Sequence, residues 1–296
     1  MIEVSQCVIC DGAIENLNSA LVAPFLARRI WNRAPFCVDL VRCNACAFIF
    51  YNPRLDDSDL HKLYKNYRDH EYQRTRHASE PWYTQKFNFD LASPASYEIR
   101  RAKLAPILRK HLDGYKIDRI LDHGGDRGEL VVGLLDGPKT FVYDISGVPP
   151  TSGVTATVDP AACKADLIVN SNVLEHVGFP RVLVSDILHA APEGGLVFLE
   201  VPCESPFGLT RIFRRLTQIG VMTLTHPPLA KFLVRPATLF MMHEHINYYT
   251  EQCLSTLMRS CGGQVIATGH YSLSGRAGSS GMVWCLGAKP SAVPRT

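Results

Sequence analysis

The chain has 296 residues, 46% of them hydrophobic and 20% charged, with a formal net charge of +3. That length allows one sizeable core plus a small accessory module, and so low a charge argues against a general nucleic-acid binder, which shows a concentrated basic face. The first residues, with Glu3 among them, lack a basic stretch followed by an apolar one, so no secretory signal is expected. The longest membrane candidate, Ile219 to Met242, is interrupted by His226, Pro227, Pro228, Lys231, Arg235 and Pro236, too often to form a spanning helix. A cytoplasmic location is expected, and there ten cysteines read as metal ligands and buried thiols rather than as a disulfide framework.

In chain order, the first elements are two Cys-x-x-Cys pairs, Cys7-Val8-Ile9-Cys10 and Cys43-Asn44-Ala45-Cys46. Each pair can sit on a tight knuckle that presents two thiolates, and two knuckles close a tetrahedron around a d¹⁰ ion. Residues 1–52 are therefore expected to form a zinc ribbon with Cys7, Cys10, Cys43 and Cys46 as ligands, although Cys37 inside the gap could exchange for one of them. Four thiolates leave no open position, so Zn²⁺ here would fold the module and do no chemistry. Residues 53–112 are rich in aromatic and basic side chains, among them Tyr64, Tyr67, Arg68, Tyr72, Arg74, Arg76, Trp82 and Tyr83. They read equally as a lid over a substrate or as a helical arm. Apolar residues at Ile99, Leu104, Ile107, Leu108 and Leu112 mark an amphipathic helix at the end of this stretch.

Residues 113–296 alternate strand and helix signals. Strands are expected at Arg119 to Asp122, 140–145, Thr155 to Val158, Asp166 to Asn170 and Gly195 to Val201, with helices around Pro180 to Ala190 and Glu251 to Cys261. Two last strands, near 264–270 and 281–288, have no helix between them and should form a hairpin. The expectation is an α/β doubly wound sheet, seven-stranded and mostly parallel, with an antiparallel C-terminal hairpin. Its most informative stretch is Asp122-His123-Gly124-Gly125-Asp126-Arg127-Gly128, followed by Asp144. A buried strand ending at Asp122, a glycine-rich turn, a helix opening at Gly128 and a second strand ending in an acid form the order of a nucleotide site, with Asp144 placed to grip a ribose diol.

These residues, with Asp166-Leu167-Ile168-Val169-Asn170-Ser171-Asn172-Val173-Leu174-Glu175-His176-Val177, resemble the signature of class I S-adenosylmethionine methyltransferases. The resemblance implies S-adenosylmethionine as cofactor, held by Asp122, Gly124, Gly125, Gly128, Asp144, Asn170 and Asn172. One departure stands out, since Asp126 replaces the family's middle glycine, with an extra Gly125 before it; aspartate tolerates unusual turn geometry better than most residues. Over the whole chain, the paired Cys-x-x-Cys motifs, Phe48-Ile49-Phe50-Tyr51-Asn52-Pro53-Arg54 and Leu60-His61-Lys62-Leu63-Tyr64 are similar to zinc-ribbon methyltransferases that modify sugars and surface polysaccharides. His243-Glu244-His245-Ile246-Asn247-Tyr248-Tyr249-Thr250 resembles a segment of the deoxysugar C-methyltransferases.

Methyl transfer needs an acceptor held in line and, for a hydroxyl or enolisable carbon, a base; His245 is the first choice, with His243 and His176 behind it. The acceptor implied is a sugar or related small metabolite, and nucleic acid is not expected. Between Pro202 and His243 lie Arg211, Arg214, Arg215, Lys231 and Arg235, with no acid between Glu204 and Glu244. This stretch reads as a solvated helical face, as a clamp for a diphosphate, or as a peripheral membrane contact through 205–242. The competing readings are an RNA methyltransferase that grips RNA with the zinc ribbon, and a cofactor-binding scaffold without turnover.

Overall fold

Five strands drawn from two separate stretches of chain build the first of two units in the computed structural model, which describes residues 1–67, 69–86, 93–207, 240–273 and 281–291 and isolated positions between 213 and 224. Unit 1 comprises Met1–Leu91, Glu175–Gly178 and Glu204–Tyr248. Numbering elements in chain order, it contains β1 (Ile14–Val22), α1 (Pro24–Trp31), β2 (Cys37–Cys43), β3 (Ile49–Asn52), α2 (Asp57–Tyr64), α3 (His70–Ser79), β9 (Met241–Met242) and β10 (Asn247–Tyr248). The strand order is β10-β3-β2-β1-β9, with β1 antiparallel to β2 and parallel to β9.

Local chemistry sets these helix ends. Pro24 starts α1 with the φ a first turn needs, and Asn32 closes it in the left-handed region at φ 48°. In α2 the carboxylates of Asp56 and Asp59 each accept from the other's backbone N–H, a reciprocal cap for two otherwise orphaned donors. The core gathers Leu21, Phe25, Leu26, Leu40, Tyr51, Leu63, Tyr72 and Met242, all buried. Arg54 is fully buried too, and its guanidinium donates to the carbonyls of Tyr51 (2.9 Å), Gly178 (2.8 Å) and Val177 (3.1 Å) and to Asn247 Oδ1 (2.5 Å). A buried cation stands only when its donors are satisfied, so Arg54 acts as a pin through the 175–178 segment and β10.

Unit 2 comprises Ala92–Leu174, Phe179–Cys203 and Tyr249–Thr296. It begins with α4 (Pro94–His111), then alternates β4 (Arg119–His123), β5 (Lys139–Tyr143), β6 (Val154–Ala156), β7 (Leu167–Ser171), α5 (Pro180–Ala190), β8 (Leu196–Pro202), α6 (Glu251–Ser260), β11 (Gln264–Tyr271) and β12 (Met282–Ala288). The sheet order is β11-β12-β8-β7-β4-β5-β6; β12 runs antiparallel to both β8 and β11, and the other pairings are parallel. This is the doubly wound sheet with a C-terminal hairpin that the alternation implied. Leu104 and Leu108 of α4, Ile120, Leu167, Val169, Phe198 and Leu286 form its core.

One expected element is absent. Residues 126–134 form successive turns in place of a helix opening at Gly128. Gly128 and Gly133 both adopt positive φ (76° and 69°), and the few residues between them are too short for an α-helix to propagate. Leu130, Val131 and Leu134 still reach the core. Among the described residues, no helix is long and apolar enough to cross a membrane. Arg68, Arg211, Arg214, Arg215, Lys231 and Arg235 lie outside the described residues.

Candidate active site

In unit 2 the C-terminal ends of β4, β5 and β7 bring together Asp122, Gly124, Gly125, Gly128, Asp144, Asn170 and Asn172. Asp122 is buried at the end of β4, and Gly125 lies directly over its carboxylate. A Cβ on residue 125 would fall 2.0 Å from Asp122 Cγ, so any residue but glycine would force the buried carboxylate aside. Asp126, which stands in place of the expected glycine, takes the left-handed conformation itself (φ 55°), and its amide donates to Asp144 Oδ2 at 2.9 Å. Asp144 follows β5 and also accepts from Ser146 N at 2.8 Å, so one carboxylate fastens the glycine turn to the end of the neighbouring strand. Asn170 Nδ2 donates to the His123 carbonyl at 2.9 Å, and Asn172, at φ 57°, donates its backbone N–H to Glu200 O at 3.0 Å.

Three buried polar atoms of this turn have no hydrogen-bond partner among the described residues: Asp122 Oδ2, His123 Nδ1 and Asn170 Oδ1. Burial, with Asp144, Glu200 and Asp126 nearby, pushes the Asp122 carboxyl up to about 7 despite Arg100. Burial also drives the His123 imidazole down to about 4. Two buried acceptors left open beneath a glycine cradle are what an amine-bearing ligand needs, and unsatisfied groups of this kind are costly without one.

Behind the turn lies a polar cluster that sequence reading did not find. Arg100 of α4 donates to Ser171 Oγ (2.5 Å) and Glu200 Oε2 (2.8 Å), while Ser171 and Tyr271 hydroxyls also donate to Glu200. The one local signal was an acid, Glu200, inside the apolar run Leu196–Pro202.

In unit 1 all four expected cysteines converge. Cys7 and Cys46 sulfurs lie 3.7 Å apart and Cys10 and Cys43 sulfurs 3.5 Å apart, whereas Cys37 is exposed and outside the cluster. The two loops are built alike. Ile9 N points at Cys7 Sγ and Ala45 N at Cys43 Sγ, each at 3.4 Å, and each knuckle ends in a residue at φ 58°, Asp11 or Ala47.

Unit 1 also gathers the three histidines. His243 has both ring nitrogens engaged, Nδ1 accepting from Glu244 N (2.8 Å) and Nε2 facing Glu80 Oε1 (2.5 Å). Glu244 accepts from Tyr72 Oη and Arg76 Nη1 (2.9 Å), and Arg76 Nε donates to Glu80 (3.0 Å). Burial opposes the Glu244 carboxylate, yet Arg76 and His243 hold it down at about 2. His176 and His245 stand edge to face, ring centroids 4.8 Å apart. His176 Nδ1 lies 3.0 Å from the Glu244 carbonyl and 2.9 Å from Tyr64 Oη; burial and the His245 charge lower this imidazole to about 3. His245 Nδ1 donates to Glu204 Oε2 at 3.0 Å; burial disfavours its cation, but Glu204, with Glu175 and Glu244, lifts it to about 9. Glu204 had no sequence signal, because its partner is distant in the chain, and Tyr64, expected as part of an aromatic lid or arm, carried no sign that it would meet His176.

A family model described as a methyltransferase domain matches residues 71–268, more than half of the chain. The chain belongs to this family. It is an S-adenosylmethionine-dependent methyltransferase. Solved structures of similar fold include the 1,6-didemethyltoxoflavin-N1-methyltransferase of Burkholderia thailandensis, at 14% identity over 86% of this chain and 96% of that one, with a TM-score of 0.50. The N-methyltransferase NodS of Bradyrhizobium japonicum (13% identity, 66% and 98% of the two chains, TM-score 0.37) and the magnesium protoporphyrin IX methyltransferase of Synechocystis (14%, 64% and 83%, 0.42) are also similar. A search of curated proteins finds no match to the methyltransferase.

Proposed function

We propose that this methyltransferase acts on a sugar, nucleotide-linked or as a polysaccharide precursor, or on a related small metabolite, with S-adenosylmethionine held in unit 2. The observation that carries the cofactor site is the buried Asp122 Oδ2, an acceptor with no partner among the described residues, lying under a glycine whose replacement would displace that carboxylate. Asp122 and Asn170 would accept from donors of the cofactor, and Asp144 would grip its ribose. When bound, the cofactor supplies an electrophilic methyl group on a sulfonium. Among the unit 1 histidines, His243 holds Glu244 in place, and His176 and His245 are the pair left as candidates for handling the acceptor's proton. The sugar class is supported by the motifs shared with zinc-ribbon sugar methyltransferases, and a cytoplasmic location by ten cysteines with no disulfide.

We place zinc among Cys7, Cys10, Cys43 and Cys46. An ion about 2.3 Å from each sulfur sets tetrahedral edges of about 3.8 Å, close to the two sulfur separations observed, and backbone N–H groups already point at the sulfurs.

Calorimetric titration of the zinc-loaded protein with S-adenosylmethionine, beside Asp144→Ala, tests the reading. Binding that the substitution weakens by about tenfold or more supports it, and nucleotide-sugars are then screened as acceptors. No binding by the intact protein would overturn it.

A further inference from the structure

Unit 1 holds a second group of metal-ligand side chains, apart from the cysteines. A carboxylate oxygen of Glu175 and one ring nitrogen each from His176 and His245 lie within 4.8 Å of one another. Glu175 Oε1 and His176 Nε2 are 3.7 Å apart. A first-row ion with bonds of about 2.1 Å sets ligand atoms about 3.4 Å apart in a tetrahedron, so closing the triangle asks for side-chain shifts on the order of 1 Å.

The surroundings orient these ligands. His245 donates Nδ1–H to the Glu204 carboxylate, and His176 Nδ1–H has the Glu244 carbonyl at 3.0 Å, so Nε2 of each ring is the nitrogen available to an ion, which at His245 binds by displacing the Nε2 proton to water. A histidine tied through its other ring nitrogen to a carboxylate or carbonyl is the usual arrangement behind a metal. Glu244 itself is engaged by Arg76 and Tyr72, so it supports the site from outside. The two stretches that carry the ligands are fastened together: Ile246 N and Asn247 N both donate to the Glu175 carbonyl (2.8 and 3.2 Å), and Arg54 pins Val177, Gly178 and Asn247. Ligands on chain so constrained keep their spacing without a metal.

We propose that Glu175, His176 and His245 bind a divalent first-row transition ion, zinc fitting best, with one position left open to water or a hydroxyl-bearing ligand. Two imidazoles and one carboxylate suit zinc, iron(II) or manganese and disfavour magnesium, which wants oxygen ligands only. Three protein ligands leave room for one more, as catalytic zinc sites do. A hydroxyl bound there gives up its proton more readily: the O–H bond breaks, the electron pair stays on oxygen and the proton passes to water. The binding of the ion does not rest on the methyl-transfer reading.

The test titrates full-length protein already holding one equivalent of zinc, which the thiolates take first, with Co²⁺, followed by visible and near-ultraviolet absorption. The expected result is one bound Co²⁺ with ligand-field bands and no thiolate charge-transfer band. His176→Ala and Glu175→Gln should abolish that binding or weaken it at least tenfold, and Glu204→Gln should weaken it about tenfold through the His245 ring. If His176→Ala fails to fold, judged by circular dichroism, the part-exposed His245→Gln decides in its place. No bound Co²⁺, only a thiolate band from exchange into the cysteine site, or binding that every folded triad variant keeps would overturn the inference. S-adenosylmethionine calorimetry on the same samples separates the two readings. Cofactor binding without the second metal sinks this inference alone, and the second metal without cofactor binding sinks the methyl-transfer reading alone.

Discussion

The polar groups buried at the glycine turn of unit 2 and those buried around Glu244 in unit 1 are held in opposite ways. Around Glu244 each charge meets another side chain: Arg76 lies between Glu80 and Glu244, and His243 closes the ring. At the turn, Asp122 Oδ2 and Asn170 Oδ1 are buried acceptors with no partner among the described residues. The first arrangement is complete without a ligand and serves to hold shape. The second leaves acceptors open, a cost to the ligand-free protein that a bound donor would relieve.

The sharpest way to break this comparison is to remove the central cation of the complete network. Arg76→Ala strands two buried carboxylates and should cost about 3 to 5 kcal/mol in urea unfolding. The open turn is probed by pH. Because the folded Asp122 carboxyl titrates at about 7 and an unfolded aspartate near 4, its contribution to stability is fully present below the unfolded pKa and is lost as pH rises through the folded one. Ligand-free protein should therefore lose up to about 4 kcal/mol between pH 4 and 7 from this group, and Asp122→Asn should flatten that slope in thermal melts across the range. A single methyl should sharpen the same point: Gly125→Ala drives a Cβ into Asp122 and should weaken S-adenosylmethionine binding by about tenfold or more in calorimetry. The smallest effect is a control. Arg109→Ala breaks an exposed pair with Asp136 and should change urea stability by less than about 0.5 kcal/mol.

Reading order and type of element worked best where the signal is local. Strands β4, β5, β7 and β8 fall within a residue or two of their expected ends, because apolar runs bounded by glycine, proline and aspartate leave few alternatives. The four cysteines were legible for the same reason, since each knuckle is complete within a few residues. The family order implies a helix at Gly128, and two glycines at positive φ stop it. The largest gap concerns groups whose meaning lies far away in the chain. Arg54 reads as one basic residue after a proline until Gly178 and Asn247 arrive against it, and nothing near Glu204 announces His245. Side chains that work by long-range pairing carry no period and no spacing, so pattern alone passes over them.

The strand pairing of unit 1 bears on synthesis. Its β1 lies between β2 and β9, and β9 is made only at Met241–Met242, after most of unit 2 has already been translated. At about 5 to 20 residues per second, the ribosome leaves that edge of β1 open for roughly 10 to 40 s. The part of the methyltransferase born first is thus among the last to be finished, and for that interval one side of β1 is an unpaired strand edge of the kind that invites pairing with other chains.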